Sequence, residues 1–312
     1  MSFEEGTEAV AAELAGVSKR FGDTEAVREL DLHVPKGRIL GLIGHNAAGK
    51  TTVMKMLLGI LTPTTGRVRL LGREPRGAEG AQTRRRVGYL PENVAFYDQL
   101  TGAEVLGFFA DLKGVGRRRC REVLAGVGLE RAGDRKVRTY SKGMRQRLGL
   151  AQALLGEPDM LLLDEPTVGL DPQATEEFYA RLEELRSRGA TIILSSHILA
   201  EIEERADTLA ILGHGRLLAE GNLRALRQRA GLRIRIRVRG RDLGGLRDTL
   251  NALENVGAEG DGDGLRVTCG EAQKLTVLER VTATETVSDV EVAPPSLADI
   301  YSHFGLAGEG AG

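Results

Sequence analysis

The chain has 312 residues, enough for one large domain and a small one. Hydrophobic residues make up 41% and charged residues 28%, and the formal net charge of −1 speaks against nucleic acid as the main ligand. No window approaches the ~18 apolar residues of a membrane span, the acidic start is unlike a signal peptide, and Cys120 and Cys269 are isolated.

These exclusions give the expectation of a cytoplasmic protein with neither a zinc site nor a disulfide framework. The segment to about Gly72 alternates β-like runs with turns. Within it, Ile39-Leu40-Gly41-Leu42-Ile43 reads as a buried parallel strand and Thr52 to Leu58 as a helix. Between them stands Gly44-His45-Asn46-Ala47-Ala48-Gly49-Lys50-Thr51, which fits the phosphate-cradling pattern G-x-x-x-x-G-K-S/T. Unpaired N–H groups at the helix start attract a polyphosphate. Lys50 is placed to reach the β- and γ-phosphates, and the Thr51 hydroxyl to ligate Mg²⁺. A glycine-bearing turn without a ligand is the bland alternative. Ala47 stands where glycine is common, so positive φ is not expected there.

Arg84 to Pro91 reads as a strand ended by its proline, and Thr101 to about Gly156 has helical spacing. Met160-Leu161-Leu162-Leu163 and Thr191-Ile192-Ile193-Leu194 are almost wholly apolar, as parallel strands covered on both faces are, with a helix between them from Glu176 to Arg188. The result is an α/β sheet with an inserted helical subdomain. The pattern changes near Arg229: residues 232–239 alternate apolar with arginine. Helices at Asp242–Leu253 and Glu271–Val281, and strands through Thr268 and at Val287–Val292, make this a β-α-β-β-α-β, ferredoxin-like α+β module. The arginine row is expected on the wet face of an edge strand, with lipid headgroups or an acidic partner as the alternative.

The apolar strand before Asp164-Glu165 delivers two carboxylates. Asp164 suits Mg²⁺ held through water, and Glu165 suits a base that deprotonates an attacking water. Tyr140-Ser141-Lys142-Gly143-Met144-Arg145-Gln146-Arg147 opens a helix with Ser141 and the Gly143 amide, a second anion-binding turn or an ordinary N-cap.

In this order the three motifs resemble the nucleotide-binding subunit of ABC (ATP-binding cassette) transporters, over roughly Val10 to Ala225. The resemblance implies a P-loop NTPase of ABC type, with a mixed β-sheet core, a β subdomain and an inserted helical subdomain. Its expected divisions are a flexible start at 1–9, a nucleotide-binding domain at 10–228 with a helical subdomain at about 93–157, an accessory domain at 229–304 and a flexible tail at 305–312. It further implies an ATP hydrolase that binds ATP and Mg²⁺ as a head-to-tail homodimer, each ATP held between Gly44–Thr52 of one copy and Ser141, Lys142, Gly143 and Met144 of the other. By the same resemblance Asp171 crosses the dimer interface, His197 contacts the γ-phosphate, and Phe21 stacks on adenine where many members have Tyr. Glu92 stands where the family has a Gln that touches Mg²⁺, which implies altered metal contact or slower chemistry.

The longer stretches Gly88 to Leu100, Thr139 to Pro158, Asp164 to Pro172 and Pro295 to Tyr301 are similar to the NosF type, the ATPase of NosDFY copper-processing systems for nitrous oxide reductase. That type implies an integral membrane permease (NosY type), a periplasmic copper-handling subunit (NosD type), and a place on the cytoplasmic face of the inner membrane. No His, Cys or Met cluster offers copper ligands in this chain. Phe96 and Tyr97 border the family's docking groove. A drug-exporter ATPase is the alternative in the same class; a soluble ABC protein acting on ribosomes or nucleic acid, and a P-loop kinase, are alternatives outside it.

Overall fold

The computed structural model describes residues 9–309, with side chains through 305. Of the ends expected to be flexible, residues 1–8 and 310–312 lie outside the described residues, and 305–309 continue the last helix. The chain divides into two units at Glu220/Gly221.

In the first unit, β1 (Val10–Phe21) and β2 (Thr24–Pro35) pair antiparallel. Leu14, Val17, Leu30 and Leu32 point inward from them and are fully buried. After β3 (Ile39–Ile43) and α1 (Lys50–Leu57), β4 (Thr65–Leu70) joins the other side of β1, completing a three-stranded antiparallel sheet in the order β2-β1-β4. Next come α2 (Gly77–Arg85) and β5 (Val87–Leu90), then the helical stretch α3 (Gly102–Lys113), α4 (Arg117–Gly126) and α5 (Lys142–Leu154). A reciprocal cap starts α3: Glu104 N–H donates to Thr101 Oγ1 at 3.1 Å, and Thr101 N–H to Glu104 Oε2 at 2.7 Å.

The chain then runs through β6 (Met160–Asp164), α6 (Pro172–Ser187), β7 (Thr191–Ser195), α7 (Leu199–Arg205), β8 (Thr208–Gly213) and β9 (Arg216–Gly221). These build a six-stranded sheet in the order β5-β6-β7-β3-β8-β9, parallel from β5 to β8. Every residue of β3, β6 and β7 is buried, which is why each reads as an apolar run broken only at its ends by Asp164, Thr191 and Ser195. One hydrophobic core joins the two sheets through Leu14, Leu32, Leu42, Met54, Leu57, Leu162 and Ile193. The mixed sheet with its antiparallel β subdomain and helical insertion is the P-loop NTPase fold of ABC type.

The second unit contains α8 (Leu223–Ala230), β10 (Ile234–Gly240), α9 (Gly244–Asn251), β11 (Val256–Asp261), β12 (Gly264–Cys269), α10 (Lys274–Thr282), β13 (Val287–Ala293) and α11 (Leu297–Glu309). Its antiparallel sheet has the order β11-β12-β10-β13, the arrangement of a ferredoxin-like module. Ile234, Ile236, Val238, Leu250, Val277 and Val281 form its core.

Two expectations need correction. Arg84 and Arg85 close α2 rather than open a strand, and only Val87–Leu90 is extended. Seven of the nine residues of α2 escape full burial, so it carries no apolar period to read. The arginine row lies on β10, an interior strand flanked by β12 and β13, not on an edge. Alternation reports which face is wet and is silent about neighbours. That face is an ion-pair lattice: Arg235 meets Asp299 at 2.9 Å, Arg237 meets Asp261 at 3.6 Å, and Arg239 meets Asp289 at 3.6 Å.

Candidate nucleotide site

The turn from Gly44 to Gly49 connects β3 to α1, and its glycines are demanded by space. A Cβ on Gly44 would lie 2.8 Å from Leu212 O, and one on Gly49, where φ is +105°, would lie 2.8 Å from Ala26 O. Lys50 folds back over the turn, donating from Nζ to Gly44 O at 2.6 Å and His45 O at 3.3 Å. Its ammonium therefore sits at the mouth of the loop. Ala47 has φ of 68°, contrary to the expectation that alanine excludes positive φ there. The left-handed conformation costs an L-residue about 1–2 kcal/mol, and the turn imposes it regardless.

Asp164 ends β6 almost fully buried and is satisfied on both oxygens. Thr51 Oγ1 donates to Oδ2 and Ser195 Oγ donates to Oδ1, each at 2.7 Å. The Thr51 hydroxyl and the Asp164 carboxylate thus converge from opposite elements. This hard, all-oxygen pair suits Mg²⁺, which keeps waters and takes phosphate oxygens as further ligands. No group of three or more His, Cys, Asp and Glu among the described residues is placed to hold an ion unaided.

Glu165 follows at φ 51°, a left-handed step that turns its carboxylate out of the strand line. Its N–H donates to Ser195 Oγ at 3.0 Å, and its Oε2 accepts from His197 N–H at 3.1 Å and lies 2.6 Å from His197 Nδ1. The carboxylate is 10% exposed and the imidazole 61% exposed. A largely desolvated carboxylate with one exposed imidazole beside it has the makings of a proton acceptor. Beneath it, Thr167 and Tyr179 hydroxyls donate to Glu201 Oε2 at 2.9 and 2.8 Å, fastening α7 to α6 and to the chain after Glu165. Burial first, and then Asp164, pushes the Tyr89 hydroxyl up to about 12, so it stays neutral.

A cleft of about 810 Å³ opens over these groups and is lined by His45 to Thr52, Glu92, Asp164, Glu165 and His197. It therefore brings together most of the residues named from sequence. Glu92 is exposed at its rim, without a protein partner among the described residues. Gly44 forms the base of the turn rather than the lining. Phe21, at the end of β1, is 46% exposed outside the cleft lining, with Lys19 Nζ 5.0 Å from its ring centroid. Ser141, Lys142, Gly143, Met144 and Asp171 are not part of the lining either. Ser141 caps α5, accepting from Met144 N–H at 3.2 Å, and Asp171 caps α6, accepting from Ala174 N–H at 2.8 Å. The Ser141 turn is braced on the segment after Glu165: Gln146 donates to Pro166 O at 3.0 Å, and a Cβ on Gly143 would lie 3.0 Å from Gly169 O.

Sequence reasoning missed Arg28 and His214, which also line the cleft, and the role of Ser195 under Asp164. His214 sits at φ 50° between β8 and β9, its ring centroid 5.1 Å from that of His45. The Gly213-His214-Gly215 run signals only a turn.

Comparison with known proteins bears on the same elements. Residues 27–168 match the model of the ABC transporter family. The chain is 43% identical over 220 residues to the bacitracin transport ATP-binding protein of Enterococcus faecalis, covering 70% of this chain and 71% of that one. It is 34% identical over 298 residues to a daunorubicin resistance ATP-binding protein of Streptomyces coeruleorubidus, covering 93% and 94%. Among solved structures, an ATP-binding subunit of an ABC transporter aligns at TM-score 0.67 with 33% identity, covering 72% of this chain and 94% of that one. A dimeric cassette bound to ADP and Pi aligns at TM-score 0.64 with 24% identity, covering 68% and 98%, a likeness of fold.

Proposed function

The chain belongs to the ATP-binding proteins of ABC transporters and is an ATP hydrolase, and we propose that two copies close head to tail around ATP to drive a membrane permease. The observation that carries this reading is a separation: Lys50 and Glu165 line one cleft, while Ser141 heads a helix outside it. In the closed pair the Ser141 hydroxyl and the Gly143 amide of one copy face the γ-phosphate cradled by Lys50 of the other. Helix N-termini then meet the anion from both sides. Asp171 lies across the same interface, and Phe21 stacks on the adenine ring.

Thr51 and Asp164, with Glu92 at the rim, are the residues that would hold Mg²⁺, which neutralises charge on the phosphate oxygens. Glu165 accepts the proton as the water oxygen attacks the γ-phosphorus and the bond to the ADP oxygen breaks. His197, hydrogen-bonded to Glu165 Oε2, orients that carboxylate and meets the γ-phosphate. A carboxylate at Glu92 adds negative charge near the leaving phosphate and slows the step.

No helix among the described residues is long and apolar enough to cross a membrane. On this reading the motor acts from the cytoplasmic face through a permease. Half-buried Phe96 and exposed Tyr97 suit that contact. The bounds proposed from the sequence for the nucleotide-binding and accessory domains are 10–228, with a helical subdomain at about 93–157, and 229–304; the division at Glu220/Gly221 keeps α8 whole by placing it in the second unit.

For cargo, the NosF-type stretches support copper-site maturation of nitrous oxide reductase with NosY- and NosD-type partners. A drug or antibiotic exporter is the second reading, supported by the resistance protein whose similarity runs through the second unit as well. Purification of the tagged chain from membranes tests both. A multispan permease should co-purify, and its absence counts against the motor. Copper-deficient nitrous oxide reductase in a deletion strain supports the first cargo, whereas intact reductase with raised drug sensitivity supports the second.

A further inference from the structure

Seven arginines fall between residues 67 and 86 against two glutamates, in a chain whose formal net charge is −1. Four of them, Arg67, Arg69, Arg73 and Arg76, line a groove of about 500 Å³ beside β4, the open edge of the three-stranded sheet. Strand alternation fixes the arrangement: Val68 and Leu70 enter the core, so Arg67 and Arg69 must point outward. Arg73 follows in the turn, and Arg76 heads α2 with its guanidinium on the Thr62 hydroxyl. Arg67, Arg69 and Arg73 are exposed and make no ion pair among the described residues. Glu74 and Glu79 share the groove without bonding to any of them.

The β10 arginines show what neutralisation looks like in this molecule, each facing a carboxylate on its own sheet or on α11. Like charges gathered in one groove repel, and salt screens that repulsion only beyond roughly 8 Å. An external anion relieves it. Guanidinium forks match phosphate oxygens two at a time.

We propose that the β4–α2 arginine groove is a docking surface for the phosphate headgroups of an anionic lipid bilayer. It lies apart from the nucleotide cleft and shares no lining residue with it. A bilayer is favoured over an acidic protein segment because three exposed guanidiniums, unpaired among the described residues, gather at one sheet edge of a chain that belongs to the ATPases of membrane transporters. Contact there lets the motor settle on the membrane surface before it finds its permease.

The test is co-sedimentation of the full chain, its cleft saturated with ADP, with phosphatidylcholine vesicles with and without phosphatidylglycerol. The wild type is expected to sediment only when phosphatidylglycerol is present. Arg67→Gln/Arg69→Gln/Arg73→Gln should weaken partitioning roughly fivefold per arginine, about a hundredfold in all. Arg235→Gln/Arg237→Gln/Arg239→Gln should partition as the wild type does; retained ADP binding shows that the first variant is folded, and an unchanged circular-dichroism spectrum and melting profile show it for the second. Failure of the wild type to sediment with the anionic vesicles, or equal sedimentation by the first triple variant, overturns the proposal.

Discussion

Two helices of the first unit begin at turns built for anions, and they differ in what surrounds them. At the start of α1, Lys50 closes over Gly44 O, Thr51 reaches Asp164, and Glu165 lies across the same cleft. At the start of α5, Ser141 spends its hydroxyl on Met144 N–H and faces no carboxylate of its own cleft. One turn has its chemistry beside it and the other has only a brace, Gln146 on Pro166 O. On the proposed head-to-tail closure, a chain with one furnished and one bare turn would hold half of two sites, and a second copy would supply what each lacks.

Substitutions at the two turns should therefore fail in different ways. Glu165→Gln removes the proton acceptor and should lower turnover by roughly a hundred- to ten-thousand-fold. ATP should still bind, and size-exclusion chromatography with ATP should show a trapped dimer; full turnover would remove Glu165 as the base. Ser141→Ala should lose about a hundredfold in turnover, as the loss of one donor to developing charge does. Single-chain ATP affinity should not change. Because the alanine also removes an N-cap worth about 1 kcal/mol, Ser141→Asn is the control. It keeps the cap without the hydroxyl, so recovered activity would reduce Ser141 to a helix starter.

Smaller effects probe the furnished turn. Glu92→Gln should shift the Mg²⁺ dependence of turnover severalfold, and an unaltered titration would put Glu92 away from the metal. Ala47→Gly relieves a left-handed alanine and should raise stability by about 1 kcal/mol, read from urea unfolding. A destabilised variant would mean that the unfolded-chain entropy of glycine outweighs the relief.

The strands and helices that carry the site were legible because they are covered on both faces or amphipathic. Ile39 to Ile43, Met160 to Asp164 and Thr191 to Ser195 could not be mistaken for surface. Residues 77–85 were illegible as a helix, since most of them are exposed and no apolar stripe marks them. The arginine row announced a wet face, but only pairing revealed an interior strand whose charges are matched by Asp289, Asp261 and Asp299. Ala47 shows the limit of reading conformation from residue type. The packing of Gly44 and Gly49 against Leu212 O and Ala26 O fixes the turn, and the alanine between them follows at a cost. His214 reaches the cleft from the turn after β8, the strand paired with β3, a neighbourhood that no local pattern encodes.

The most direct measurement is a crystal structure of the Glu165→Gln chain loaded with ATP and Mg²⁺. Head-to-tail closure requires the Ser141 hydroxyl of one copy within hydrogen-bond distance of a γ-phosphate whose other side touches Lys50 of the second. A single chain that encloses ATP alone, or a pair with Ser141 remote from phosphate, would contradict it.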